Sequence, residues 1–547
     1  MYFRYNLIVL SFFILIFSFP ILGILSKISY DFYEIINFLK NNYTRRIIFF
    51  SFYQAFLSAL ISCLLAIPFA LSLNRRKDLM IVKIIISLCG FAFVIPSILI
   101  VFSVIKIFGY NGFLNTYFDF YNIANIDSIY GLKGILIAHI LLNTPFATRL
   151  FFQNLNNIPN KYYEISRSLN ISVIGNILKL EVPVIKQNLF AVFAIIFSLC
   201  FLSFAIVMAL GGNPQNSTLE VAIYQYALFD LNFNKAIILS FIQIIICIIF
   251  VSIGFYKFKG SNFFQIDYQA NLHPHKDIFI LKFVDFIIIF SSTIFLFSPI
   301  FFIFLEALKS NFSDIIFDYY FIKAFFNSIF ISLITGILVS FIGLITSVIL
   351  VINYKNILIQ QIIFLFSSII IIISPIIFSL GYFIYFQSYI YIEIVKFFIV
   401  ILINAIFLLP FSILIFFNNL KNIYLTFEDY KETYRLGIIN YFRIISPLFK
   451  NNFIYIFAFS TVITLGDFTI ISFFRSESFE TLPSYLYKLI SSYRFNEASF
   501  IAGIILLISM IIYFIIDNFN YQGRPAIRTW TYILAIYPIN MTGVHLR

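Results

Sequence analysis

Twelve apolar runs, each long enough to cross a bilayer, constrain this 547-residue chain more than any other feature. A helix needs about 20 apolar residues to cover roughly 30 Å of hydrocarbon. By that measure, candidate spans lie near 6–26, 47–73, 84–108, 132–152, 189–211 and 236–256. Six more follow near 282–305, 325–352, 359–383, 396–417, 453–474 and 498–516. Lipid offers no water to satisfy backbone N–H and C=O groups, so runs of this kind fold as helices. The expected fold class is therefore an all-α polytopic membrane protein of about 12 transmembrane helices. Composition agrees, with 61% hydrophobic and 11% charged residues, against about 25% charged in a soluble domain. The 76 Phe and 35 Tyr share AT-rich codons with Ile, Asn and Lys, so aromatic abundance alone supports no functional argument. Cys63, Cys89, Cys200 and Cys247 stand singly inside apolar runs and read as small buried hydrophobes. Their spacing matches neither a disulfide framework nor a metal cluster.

The first run is followed by Lys27 without a small-residue cleavage site, so it reads as a retained anchor rather than a signal peptide. Positive charge sets orientation. With Arg4 in the cytoplasm, Arg75, Arg76, Lys77 and Lys83 fill the first inner loop, and most of the 36 Lys and Arg residues fall on that side. A multi-pass protein of the bacterial inner membrane, with both termini cytoplasmic, is expected. The net charge of +12 is then a topology signal, and no nucleic-acid partner is implied.

The chain repeats itself. PFATRLFFQNLNNI at 145–158 and PFSILIFFNNLKNI at 410–423 share eight of fourteen residues. Thr218, Leu219 and Tyr224 likewise match Thr481, Leu482 and Tyr487. Both matches run in the same direction, the signature of a parallel duplication about an axis along the membrane normal. The expected organisation is a first permease half at 1–256, a cytoplasmic linker at 257–281, and a second half at 282–516. The remaining 517–547 forms a tail that, from Gly523, holds the only Trp and no Phe and reads as foreign to the rest.

Matched polar loops at 153–188 and 418–452 offer a docking device for a soluble engine. The first carries Glu164, Ser166, Asn170 and Pro183; the second carries Glu432, Gly437 and Pro447. A short amphipathic helix in each could sit in a cleft of a cytoplasmic ATPase. These loops resemble the EAA motif of ABC importer permeases, in which Glu-Ala-Ala is followed by Gly and then Pro. Here Ile165 and Ser166 take the small positions, Asn170 stands for Gly, and Pro447 follows Gly437 by ten residues. FSFYQAFLSALIS at 51–63, YGLKGILIAHILLNTPFATRL at 130–150, ALGGNPQNSTLEVAIYQ at 209–225, LGDF at 465–468 and TLPSYLYKLISSYR at 481–494 narrow the likeness. They resemble the fused two-half thiamine permease family, which is related to ferric-iron permeases.

That resemblance implies two six-helix halves of the type I ABC importer kind, translocating thiamine or its phosphates by alternating access. It implies two copies of a cytoplasmic ABC ATPase and a periplasmic substrate-binding protein as partners, besides membrane lipid. No GxxxxGK[ST] occurs, so no enzymatic activity and no cofactor is expected of this chain, with ATP used by the partner. A cationic ligand calls for aromatic faces or a carboxylate. Asp467 is one of few carboxylates near a span interior, where an ionisable residue points to function; capping of a helix end is its plainer role. Glu220, Tyr224, Gln225 and Tyr487 are expected on the periplasmic side, lining the entrance or touching the binding protein. His139 reads as a hydrogen-bonded core residue, and His273 and His275 are too few for a metal site. A ferric-iron importer permease is the alternative within the class. An ion-coupled secondary transporter or a membrane-embedded enzyme would need clustered ionisable groups that the sequence lacks.

Overall fold

The computed structural model describes residues 2–27, 32–110, 112–120, 128–212, 214–255, 273–310, 313–352, 373–433 and 438–521. Among these it is helical, without a strand. The first half contains α1 (Tyr2–Leu25), α2 (Asn42–Arg75), α3 (Met80–Val94), α4 (Ser97–Phe108), α5 (Leu132–Asn156) and α6 (Asn160–Ser168). It continues with α7 (Val182–Phe201), α8 (Ala205–Leu210), α9 (Leu219–Leu228) and α10 (Phe233–Phe255). The second half contains α11 (Phe279–Lys309), α12 (Tyr319–Ile352), α13 (Pro375–Tyr385) and α14 (Glu393–Thr433). It ends with α15 (Ile438–Leu465), α16 (Thr469–Phe474), α17 (Leu482–Ser491) and α18 (Phe495–Tyr521). Among the described residues, ten helices are long and apolar enough to cross a membrane, and three shorter apolar segments accompany them.

The order of the second series repeats the first. Helices α2 and α5 pack together as α12 and α14 do, and α7 lies on α2 as α15 lies on α12. Small side chains make these contacts close. Ala55, Ala59, Ser62, Ala66 and Ala70 form a buried stripe on α2, and Gly336, Ser340, Gly343 and Ser347 form one on α12. A β-carbon at Gly343 would overlap the Ser412 hydroxyl of α14, so the bare backbone sets that approach. Buried hydroxyls return their protons to the preceding turn, as Ser51 does to Ile47 O and Ser340 to Gly336 O. The two series also share an anchor. The Leu219 amide at the start of α9 donates to Ser51 Oγ (2.8 Å), and the Leu482 amide at the start of α17 donates to Ser328 Oγ (2.7 Å).

Each half lends its first helix to the other. Helix α1 packs on α13, where Tyr382 donates to the Ile16 carbonyl (2.9 Å) and Phe17 meets Phe378 edge-on. Helix α11 packs in return on α4, where Lys106 pairs with Glu306 (2.8 Å). At the α6 face, Asp285 of α11 accepts from Arg75 (2.6 and 2.9 Å) and Arg76 (2.8 Å) at the end of α2.

Three of the expected continuous spans are interrupted. The run at 84–108 is two helices, because Pro96 removes an amide donor and holds Ile95 extended. The run at 189–211 breaks between Phe201 and Ala205, and that at 453–474 between Leu465 and Thr469. In the second break Gly466 lies against Pro96 of the first half, where no side chain would fit. Helix α18 continues to Tyr521, past the boundary expected at 516. Residues 359–372 of the ninth expected span, 257–272 of the linker, Gly437 and the tail from 522 lie outside the described residues.

Candidate functional site

Two residues related by a duplication axis can touch only if both lie beside that axis. Phe204 precedes α8 and Phe468 precedes α16, so they hold equivalent places in the two halves. Their rings stack with centroids 5.8 Å apart and planes 18° from parallel. Each is backed by the matched tyrosine of its own half. Tyr224 meets Phe204 edge-on at 5.0 Å, and Tyr487 tilts against Phe468 at 4.8 Å. Tyr224 also donates to the Ser472 carbonyl across the seam (3.5 Å). The two phenylalanines are buried and the two tyrosines half-buried. A second aromatic layer lies at the seam. Phe146 and Phe411, from the repeated Pro-Phe motif, both meet Phe93, at 4.5 and 6.0 Å, and Phe459 closes the group.

The sequence pointed to Tyr224 and Tyr487 but passed over Phe204, Phe468 and the second layer. Asp467 adjoins Phe468, and its carboxylate is engaged as a cap. Oδ1 accepts from the Thr469 and Ile470 amides (3.0 and 3.3 Å), and Oδ2 accepts from Asn404 (3.4 Å). It borders a small cavity with Ser328, Val400, Thr464 and Thr481. Glu220 departs from the sequence expectation. It is fully buried, accepting hydrogen bonds from Gln243 and Ser374, and is closed to any soluble partner. Gln225 is half-buried, and its carbonyl closes the end of α9. His139 is buried as expected, bonded to Ser58 (3.0 Å).

The α6 face carries the first polar loop. Glu164 is exposed on α6, whereas Ser166 is buried and donates to Asn176 (2.6 Å). Asn170 holds a left-handed backbone, φ +47°. Its amide bonds to Arg167 O and the Ile171 amide to Ser166 O, which completes a Schellman cap on α6. Asn is the commonest substitute for Gly in that conformation, so the sequence departure at Asn170 keeps the same turn. Pro183 is exposed in the first turn of α7, just after a π-helical segment at Ile177–Glu181. The buried Glu181 pairs with His273 of the linker (3.0 Å), and Tyr163 of α6 packs on that imidazole. Glu164 and Pro183 are thus presented outward while Ser166 and Asn170 shape the loop. The second loop differs. Helix α14 runs unbroken to Thr433 through Glu432, whose side chain lies outside the described residues, as does Gly437. Pro447 is exposed within α15. Among the described residues, no group of three His, Cys, Asp or Glu side chains converges as a metal site would require.

A multi-pass bundle of two like-directed repeats, with matched aromatics meeting on the duplication axis, has the architecture of a membrane permease. No protein-family model matches the chain. It is 30% identical over 492 residues to the thiamine transport system permease protein ThiP of Haemophilus influenzae, covering 88% of this chain and 89% of that protein. The same-named protein of Escherichia coli is 29% identical over 493 residues, with 88% and 90% covered. That of Salmonella typhimurium is 28% identical over 505 residues, with 89% and 91% covered. The chain belongs to the thiamine transport system permease family.

Proposed function

We propose that this chain forms the transmembrane path of an ATP-driven importer of thiamine, acting by alternating access. The carrying observation is its likeness, over nearly nine-tenths of its length, to permeases named for thiamine transport. The site supports the reading, since stacked aromatic faces beside the axis suit a flat organic cation. Ferric iron as cargo calls for converging oxygen ligands, and the axis presents aromatic rings instead. The two halves, 1–256 and 282–516, sit in a bacterial inner membrane with both termini inside. Two copies of a separate ABC ATPase dock on the loops holding Glu164 and Glu432, as EAA-type coupling loops do. A periplasmic binding protein delivers thiamine or a thiamine phosphate to the opposite face. The chain itself binds no cofactor. Vesicles holding the chain with its ATPase and binding protein test this reading: labelled thiamine should accumulate only with ATP inside the coupled compartment. ATP-dependent accumulation of iron without thiamine would move the chain to the ferric-iron branch.

A further inference from the structure

We infer that the Phe204–Phe468 stack, flanked by Tyr224 and Tyr487, is the closed form of an aromatic clamp that takes the cationic ring of the substrate between its two phenylalanine faces. The inference rests on the thiamine reading above and adds the residues that select for it.

Three observations carry it. The first is place: rings equivalent in the two halves meet face to face, so the pair stands beside the axis along which a solute must pass between repeats. The second is chemistry. Two parallel π-faces present negative potential to whatever separates them, the complement of a flat cation. A tyrosine packs on each phenylalanine ring, at 5.0 and 4.8 Å between centroids, and supports the pair from within its own half. The third is the hinge. Each phenylalanine lies where a long helix has stopped and a six-residue helix begins, α7 to α8 and α15 to α16. A sandwiched ring needs about 7 Å between the outer planes, twice the optimal carbon–carbon separation. The present 5.8 Å between centroids leaves no room, so the stack is shut. Parting by an ångström or two at two helix breaks is the scale of motion that alternating access supplies. Ordinary core packing would explain the contact but not its pairing of symmetry mates at matched breaks.

The test uses the full chain in two ways. In vesicles with the ATPase and binding protein, Phe204→Leu/Phe468→Leu keeps an apolar seal and removes both π-faces, while Phe204→Tyr/Phe468→Tyr keeps them. The Leu pair should lower thiamine uptake about tenfold or more, the scale of losing a desolvated cation–π contact, with the Tyr pair near parental rates. Separately, Phe204→Trp in a Trp530→Phe background places a single reporter in the stack, since the chain has one Trp. Thiamine added to this permease in nanodiscs should quench that fluorescence saturably, and Phe468→Leu should abolish the quenching. Parental uptake by the Leu pair, or no saturable quenching, overturns the clamp and leaves the thiamine function standing. A parent chain that fails to import thiamine instead overturns the functional reading, and the quenching then decides the clamp alone.

Discussion

Asp285 is the carboxylate whose loss should cost this fold most. It is fully buried in the first turns of α11 and pairs with both Arg75, itself 5% exposed, and Arg76. Arg76 also donates to the Lys276 carbonyl, tying the end of the linker to the same cluster. Asp285→Ala leaves two guanidinium groups facing each other with little water between them. Removing one member of a buried ion pair costs about 3–5 kcal/mol, because the remaining charge stays desolvated. Arg76 is the more exposed of the two and can partly swing out, which places the expected loss toward the lower figure. The assay is unfolding of the purified chain in mixed micelles as a function of denaturing detergent. Arg75→Met/Arg76→Met/Asp285→Met should recover most of the loss, since an apolar replacement of a buried ion cluster is near neutral. A loss below about 1 kcal/mol for Asp285→Ala, the size of a solvent-exposed pair, would show that water reaches the cluster and would refute the reasoning.

Other substitutions test other joints. Gly466→Val should cost about 1–3 kcal/mol or prevent assembly, as overpacking does, because its side chain would enter the Pro96 ring; yield and monodispersity in detergent report it. At Asn170, replacement by Gly should be tolerated, whereas Asn170→Val should lose about 1–2 kcal/mol at a left-handed position. Hydrogen exchange over residues 160–171 should rise for Val alone, and equal exchange in both variants would remove the cap from the account. Gln243→Leu should cost about 1–3 kcal/mol by leaving the buried Glu220 carboxyl short of a donor. Restored stability in Gln243→Leu/Glu220→Leu would identify that carboxyl as the cause.

The helical character and the duplication were legible because lipid makes the hydropathy pattern strict and because Pro145/Pro410 and Tyr224/Tyr487 recur. The helix breaks were less so. Pro96 was a visible signal for one, but Leu202–Phe204 carries no breaking residue, and its interruption follows from matching the Gly466–Phe468 break in the other half. Phe204 and Phe468 were hidden among 76 phenylalanines. Aligning FLSF at 201–204 with LGDF at 465–468 pairs them from sequence alone. The packing of α1 on α13 joins Ile16 to Tyr382, 366 positions away, and the Arg75–Asp285 pair that ties α11 to the first half spans 210, and no local pattern encodes such pairings. Glu220 read as a periplasmic residue because it falls between the apolar runs at 189–211 and 236–256. Only the fold brings Gln243 and Ser374 against it.

The most direct measurement is uptake of labelled thiamine into vesicles containing this chain, its ATPase and its binding protein, with and without ATP and with excess ferric iron as competitor. ATP-dependent accumulation of thiamine that iron does not reduce is the expected result. Iron accumulation without thiamine uptake, or thiamine entry indifferent to ATP, would contradict it.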